Sequence, residues 1–260
     1  MRKIGIVLFI VLAFFVSVGA GAKNHHHIVQ VASSSSLDAP LREICKEFER
    51  QTSYKCNLVT TSTGHLYAQI MHGAQYDVLL TSDEAYVQSL INANKVNSED
   101  RFILAIGRVV LWSADRNIAN INIQKTLQNT NLSLAIANPG ATPYGKAAKE
   151  ILQGYNLWHH LHDNITVAKT LTQTYKMVAD KQVKMGFVSV SQLSQDDRDT
   201  KRYWEPDPNS YHPVVHEVVT LNTGTPDEAT KAFLTFLQSS NACQYLGMAG
   251  YQCWSEYGIG

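Results

Sequence analysis

Short apolar strands alternate along this chain with amphipathic helices, and that alternation restricts the fold more than any other feature. Strand-like runs occupy residues 28–32, 58–59, 77–80, 109–112, 132–137, 185–189 and 214–221. Between them lie helical patterns at 37–51, 66–71, 85–93, 143–152 and 171–180, and a last helix in which Phe233, Leu234, Phe236 and Leu237 turn inward. In the first helix Leu41, Ile44, Cys45 and Phe48 fall at helical spacing. Proline is tolerated only in a first turn, so Pro40 places the start of that helix near residues 36–38, and Pro226 marks the start of the last one. Strands alternating with helices predict α/β layers with mostly parallel strands. The polar stretches 92–101 and 194–210 read as surface connections, and no internal repeat or Gly/Pro/Ser-rich linker divides the 260 residues.

The N-terminus assigns a compartment. Arg2 and Lys3 precede an apolar run over residues 4–18, and Ala20-Gly21-Ala22 has the small-x-small form of a cleavage site. This is the layout of a secretory leader over residues 1–22, and the run is shorter than the ~20 residues of a membrane-spanning helix. The 22 basic residues less Arg2 and Lys3 leave 20 against 22 acidic ones, a mature net charge of −2 with histidines neutral. Nothing there favours nucleic acid or an anionic membrane surface as a partner. In an exported chain the even set Cys45, Cys56, Cys243 and Cys253 predicts disulfides. Three pairings are open to four cysteines; the two local ones, Cys45–Cys56 and Cys243–Cys253, are the simplest.

Ligands of open α/β sheets bind at the carboxyl ends of strands, where helix N-termini offer unpaired N–H groups and partial positive charge. Three such turns are rich in hydroxyl residues: Ser33-Ser34-Ser35-Ser36, Thr60-Thr61-Ser62-Thr63-Gly64 and Ala141-Thr142-Pro143-Tyr144-Gly145. Each suits plain helix capping. All three together, with no Arg or Lys at their centres, describe a neutral donor site fit for a fully ionised, dehydrated oxyanion. A protonated phosphate would want an acceptor as well.

Other constellations are weaker. His25-His26-His27 reads as a polar N-terminal segment, and His159-His160-x-His162 as helix-end histidines without a completing carboxylate or cysteine. No G-x-S-x-G elbow supports an exported hydrolase, and a metalloenzyme reading finds no recognised ligand spacing. Trp112, Trp158, Trp204 and Trp254 read as packing residues.

Several segments carry a family resemblance: Ser33–Asp38, Ser62-Thr63-Gly64 with Leu66-x-x-Gln69-Ile70-x-x-Gly73-Ala74, Tyr76-Asp77-Val78-Leu79, Pro143-Tyr144-Gly145-x-Ala147-Ala148-x-Glu150 with Leu157-Trp158, Gln173-Thr174-Tyr175, and Gly186-Phe187-Val188. In this order they resemble the periplasmic molybdate-binding proteins of ABC transporters over the whole mature length. The resemblance implies a type II periplasmic binding protein: two α/β lobes, each a mixed, mostly parallel sheet flanked by helices, closing about a hinge. It implies lobe I at 23–105 plus 214–260 and lobe II at 106–213. It implies a periplasmic, non-enzymatic monomer that needs no cofactor, captures molybdate or tungstate and delivers it to a membrane permease. Sulfate, another oxyanion or a small organic acid is the alternative ligand for the same fold. Carried over by position, Ser36 and Thr63 would donate hydroxyl and N–H bonds, Leu171 its backbone N–H, and Tyr144 its phenol in place of the tyrosine some members carry where this chain has Ser189. Ser189 is the doubtful member of the set. The oxyanion would meet only these donors, with no direct ligand to its metal atom.

Overall fold

The computed structural model describes residues 28–115, 123–127, 132–200, 202–222 and 226–253. Residues 1–22, expected to form a leader, and His25–His27 and Trp254 lie outside the described residues. A first segment carries β1 (Ile28–Ser34), a 3-10 turn (Ser35–Leu37), α1 (Asp38–Gln51), β2 (Lys55–Thr61), α2 (Thr63–Met71), β3 (Val78–Thr81), α3 (Glu84–Asn92) and β4 (Arg101–Gly107). A middle segment carries β5 (Val109–Trp112), α4 (Ile123–Leu127), β6 (Leu134–Ala137), α5 (Pro143–Gly154), β7 (Ile165–Ala168), α6 (Leu171–Ala179), β8 (Met185–Ser189), α7 (Gln195–Asp199) and β9 (Tyr203–Trp204). The last segment carries β10 (Val214–Thr220), α8 (Glu228–Leu237), α9 (Ser240–Met248) and β11 (Gln252–Cys253).

The strands form two sheets, one per lobe. The first is six-stranded in the order β11-β4-β10-β3-β1-β2, and the second five-stranded in the order β7-β6-β8-β5-β9. Both are mixed, with a smaller parallel share than the alternation of elements predicts. Parallel pairing joins β1 to β2 and β3, and β6 to β7 and β8. The pairings of β10, β4, β11, β5 and β9 are antiparallel. The difference has a physical source: β10 brings the chain back into the first sheet running against its parallel centre, and so pairs antiparallel with both β3 and β4.

Each sheet is covered on both faces, which is why its strands read as continuous apolar runs. In β3, Val78 and Leu80 point into the core under α1 and α8, while Leu79 points to the opposite core with Leu66, Ile70, Val87 and Leu90. Phe48 of α1 meets Phe233 of α8 edge-on at 5.1 Å between centroids. In the second lobe Leu111, Leu134 and Phe187 face α5, while Val110, Ala135 and Val188 face α6.

Four expectations change. The stretch 92–101 is the connection between α3 and β4 that it reads as, but 194–210 contains α7 and β9 as well as connections. Pro226 lies outside the helix it announces: Asp227 is the N-cap, its carboxylate accepting from Thr230 N–H at 2.8 Å. That helix is also not the last, because Ser239 caps α9. Leu234 is only half-buried. The cysteines do form the two local disulfides, Cys45–Cys56 and Cys243–Cys253. Each ties an outermost strand of the first sheet, β2 or β11, to a covering helix. Among the described residues no helix is long and apolar enough to cross a membrane.

Candidate functional site

Ser36, Thr63, Tyr144 and Leu171 line one cleft of about 500 Å³ between the lobes. Local sequence explains how. Each residue follows a strand and sits within the first helical turn, where backbone N–H groups lack an intrahelical acceptor. Ser62 caps α2, accepting from His65 N–H at 3.3 Å. Thr142 caps α5 ahead of Pro143, accepting from Gly145 N–H at 3.0 Å. Thr170 caps α6, accepting from Gln173 N–H at 3.1 Å. These three hydroxyls are therefore engaged in capping. The cleft is left with the N–H groups of Thr63 and Gly64, of Tyr144, and of Leu171 and Thr172, all at positive helix ends. On the first lobe's side the Ser36 hydroxyl lies 3.1 Å from the Ser34 hydroxyl, and the Thr63 hydroxyl 3.1 Å from that of Thr81.

Tyr144 and Ser189 do not take the places expected from the family pattern. The Tyr144 side chain is 4% exposed, and its hydroxyl lies 3.1 Å from Ser189 Oγ. Its phenol is thus turned onto Ser189, and its backbone N–H is what it can offer a ligand. Ser189 does not line the cleft. It caps the turn after β8, with its hydroxyl 2.8 Å from that of Ser191 and its N–H donating to Gln192 Oε1 at 3.2 Å. The turn instead brings Ser191 and Gln192 to the cleft wall.

The charged side chains on the cleft are few. Lys169 stands exposed at one edge, and Asp38 and Asp83 are the carboxylates. Asp38 is bound by Arg42 through two 2.9 Å bonds and by the Thr60 hydroxyl at 2.6 Å, and Arg42 holds its carboxyl below the usual range. Asp83 caps α3 by accepting from Ala85 N–H at 3.2 Å. A larger cavity of about 750 Å³ adjoins across Ser82, Asp83, Tyr86 and residues 141–143. Its wall carries Glu84, Glu150 and Glu217 against Lys146 and His212. Burial raises the Glu217 pKa, as does the nearby Glu84, while Arg101 opposes the shift. An anion is better served by the smaller, donor-rich cleft.

Behind the cleft lies a buried layer that the sequence did not announce. The His216 ring meets Tyr251 edge-on at 5.1 Å and sits 6.4 Å from Tyr144. Both its nitrogens are buried without a hydrogen-bond partner, and burial pulls its pKa down to about 3. Burial likewise pushes the Tyr251 phenol up to about 12 and Tyr144 well above its ordinary value. This layer is therefore uncharged across neutral pH. Of the residues missed, Ser191 and Gln192 carried a signal, since they follow a strand end. His216 and Tyr251 carried none. The histidines 159, 160 and 162 join no cluster of three or more potential ligands, and no such cluster exists among the described residues.

Residues 29–252 match the family model described as bacterial extracellular solute-binding protein. Over 224 residues the chain is 30% identical to the molybdate-binding protein ModA of Azotobacter vinelandii, covering 86% of this chain and 89% of that one. It is also 30% identical to the ModA of Rhodobacter capsulatus, covering 86% and 87%. Among solved structures it is similar to the periplasmic molybdate-binding protein of Azotobacter vinelandii, with a TM-score of 0.75, 28% identity, and 86% and 98% of the two chains covered. The fold is shared with the substrate-binding domain of a molybdenum ABC transporter from Clostridium difficile, at a TM-score of 0.71 and 23% identity. With two lobes, a donor-lined cleft between them and a family match across nearly the whole described chain, this protein belongs to the bacterial extracellular solute-binding proteins.

Proposed function

We propose that this protein captures molybdate or tungstate in the periplasm and delivers it to the membrane permease of an ABC importer. One observation carries the reading: helix N-termini from both lobes converge on a single cleft with uncharged donors. Ser36 and Thr63 would donate from lobe I, and Tyr144 and Leu171 from lobe II, the last two through backbone N–H. Ser189 would act behind the cleft by holding the Tyr144 phenol. Such donors stabilise a dianion without a counter-ion, and the backbone N–H groups among them offer no acceptor to the hydroxyl of a protonated phosphate. Molybdate-binding relatives at 30% identity support this choice of ligand.

Sheet membership supports lobes at 23–105 plus 214–260 and at 106–213, with Ile106 and Gly107 still paired in β4. The chain crosses between them at Arg108 and just before Val214. A cavity of about 500 Å³ exceeds one tetrahedral oxyanion, so capture would proceed by closure, with binding shifting the population toward the closed form. Export would follow cleavage near Ala22, and the mature monomer would need no cofactor. Calorimetric titration with molybdate, tungstate, sulfate and phosphate tests the reading. Heat is expected with the first two, and its absence with both would overturn the proposal.

A further inference from the structure

We propose that Tyr251 is a positioning residue of the anion cleft, its phenol clamping the Ser36 turn of one lobe to the Ser191 and Tyr144 hydroxyls of the other. The Tyr251 hydroxyl donates to the Ser36 carbonyl oxygen at 2.5 Å. In an α-helix that carbonyl would accept from the N–H of residue 40, and Pro40 has none. The phenol therefore supplies a donor that the sequence removes. A phenol has one proton to give, so with that proton on Ser36 its oxygen is left to accept. The hydroxyls of Tyr144 and Ser191, both gathered on Ser189 Oγ at 3.1 and 2.8 Å, lie on its other side and act to lower its pKa. Ser191 lines the cleft, and Tyr144 heads the helix whose N-terminus faces it. One buried hydroxyl thus holds the Ser36 turn and stands beside the hydroxyls behind the second wall.

The ring is held firmly enough to transmit that alignment. Helix α9 ends in a Schellman turn: Gly250 N–H bonds Gly247 C=O at 2.9 Å, and Tyr251 N–H bonds Leu246 C=O at 3.0 Å. Gly250 has φ +89°, and a Cβ there would lie 2.5 Å from Val190 Cγ1, so glycine is needed both for the turn and for the approach of the lobes. The Cys243–Cys253 disulfide closes the same turn, and β11 pairs with β4. Arg198 donates across the seam to Met248 C=O at 2.8 Å. Tyr251 is 4% exposed, with His216 against its face.

This inference rests on the cleft being an oxyanion site, and its test separates the two. Tyr251→Phe keeps the ring and removes only the hydroxyl. In the ligand-free mature protein, amide exchange over residues 33–41 and 189–193 should quicken about three- to ten-fold, the scale of one lost hydrogen bond, while 78–81 stays unchanged. Molybdate release from the variant should quicken by a similar factor with association unaltered. Ser191→Ala, which removes a partner from the other side, should show the same split in smaller measure. Exchange that is unchanged, or quickened uniformly with release unaltered, overturns the clamp. A wild-type protein that takes up neither molybdate nor tungstate overturns the proposed function, and the exchange comparison then decides the clamp alone.

Discussion

A Cβ built on Gly107 would lie 2.2 Å from the hydroxyl oxygen of Tyr144 and 3.1 Å from Nε2 of His216. The last residue of β4, where the chain leaves the first lobe, must be bare so that the first-turn tyrosine of α5 can reach Ser189. Gly107→Ala should destabilise the protein by about 1–3 kcal/mol through forced repacking. It should also weaken anion binding, since Tyr144 can yield only by moving the head of α5. Urea denaturation and calorimetric titration of the variant check the two effects.

The donors differ in what a substitution can remove. Ser36→Ala should weaken molybdate binding by about 1–3 kcal/mol, the loss of a hydroxyl facing a buried anion. Leu171→Ala should leave affinity within about threefold of wild type, because the N–H it contributes remains. Equal losses in the two variants, measured by titration, would show that the assignment of hydroxyl and backbone donors is wrong.

Lys169 is exposed at the cleft edge and can steer an approaching dianion without binding it. Lys169→Gln should lower the association rate about threefold at low salt, with the difference vanishing near ~0.5 M salt and release unchanged. Stopped-flow kinetics at two ionic strengths provide the measurement.

Acid should act first through His216. Its folded pKa, about 3, lies below the ordinary 6.5. The unfolded chain therefore binds the proton more readily, and stability present above pH 6.5 is lost as pH falls toward 3, with a slope approaching 1.4 kcal/mol per unit. The paired carboxylates Asp38 and Glu49, held below their ordinary 3.8 and 4.5, lose their contribution only at lower pH. Melting temperature against pH should thus decline from about pH 6, and His216→Phe should remove the upper part of that decline.

Both disulfides close short loops, 11 and 10 residues apart in sequence. Each should contribute about 2–3 kcal/mol, so full reduction should lower the melting temperature by roughly 10–20 °C. Calorimetry with and without reductant tests this.

Much of the fold was legible because both faces of each sheet are covered. Strands such as Val109–Trp112 and Met185–Ser189 then show as unbroken apolar runs with clear ends. Elements that depend on neighbours were not legible. β7 exposes Val167, α9 has little periodic apolar character, and the two-residue strands β9 and β11 exist only through their pairing with β5 and β4.

The sequence alone determined which strand-to-helix turns are rich in hydroxyl residues. Capping serine and threonine, proline at a first helical position, and hydroxyl clusters after strands are local chemistry, and they singled out the turns at Ser36, Thr63 and Tyr144, whereas Leu171 followed only from the family resemblance. Tertiary structure alone decided where side chains separated in sequence point. The Tyr144 phenol turns to Ser189 because Gly107 leaves room for it. His216 stays neutral because packing buries its ring and leaves both nitrogens without a hydrogen-bond partner. Tyr251 meets Ser36 across 215 positions of chain because α9 ends where the lobes touch. Hydrogen bonds within a turn follow from neighbouring residues, whereas those between residues far apart in sequence require the whole chain to have folded.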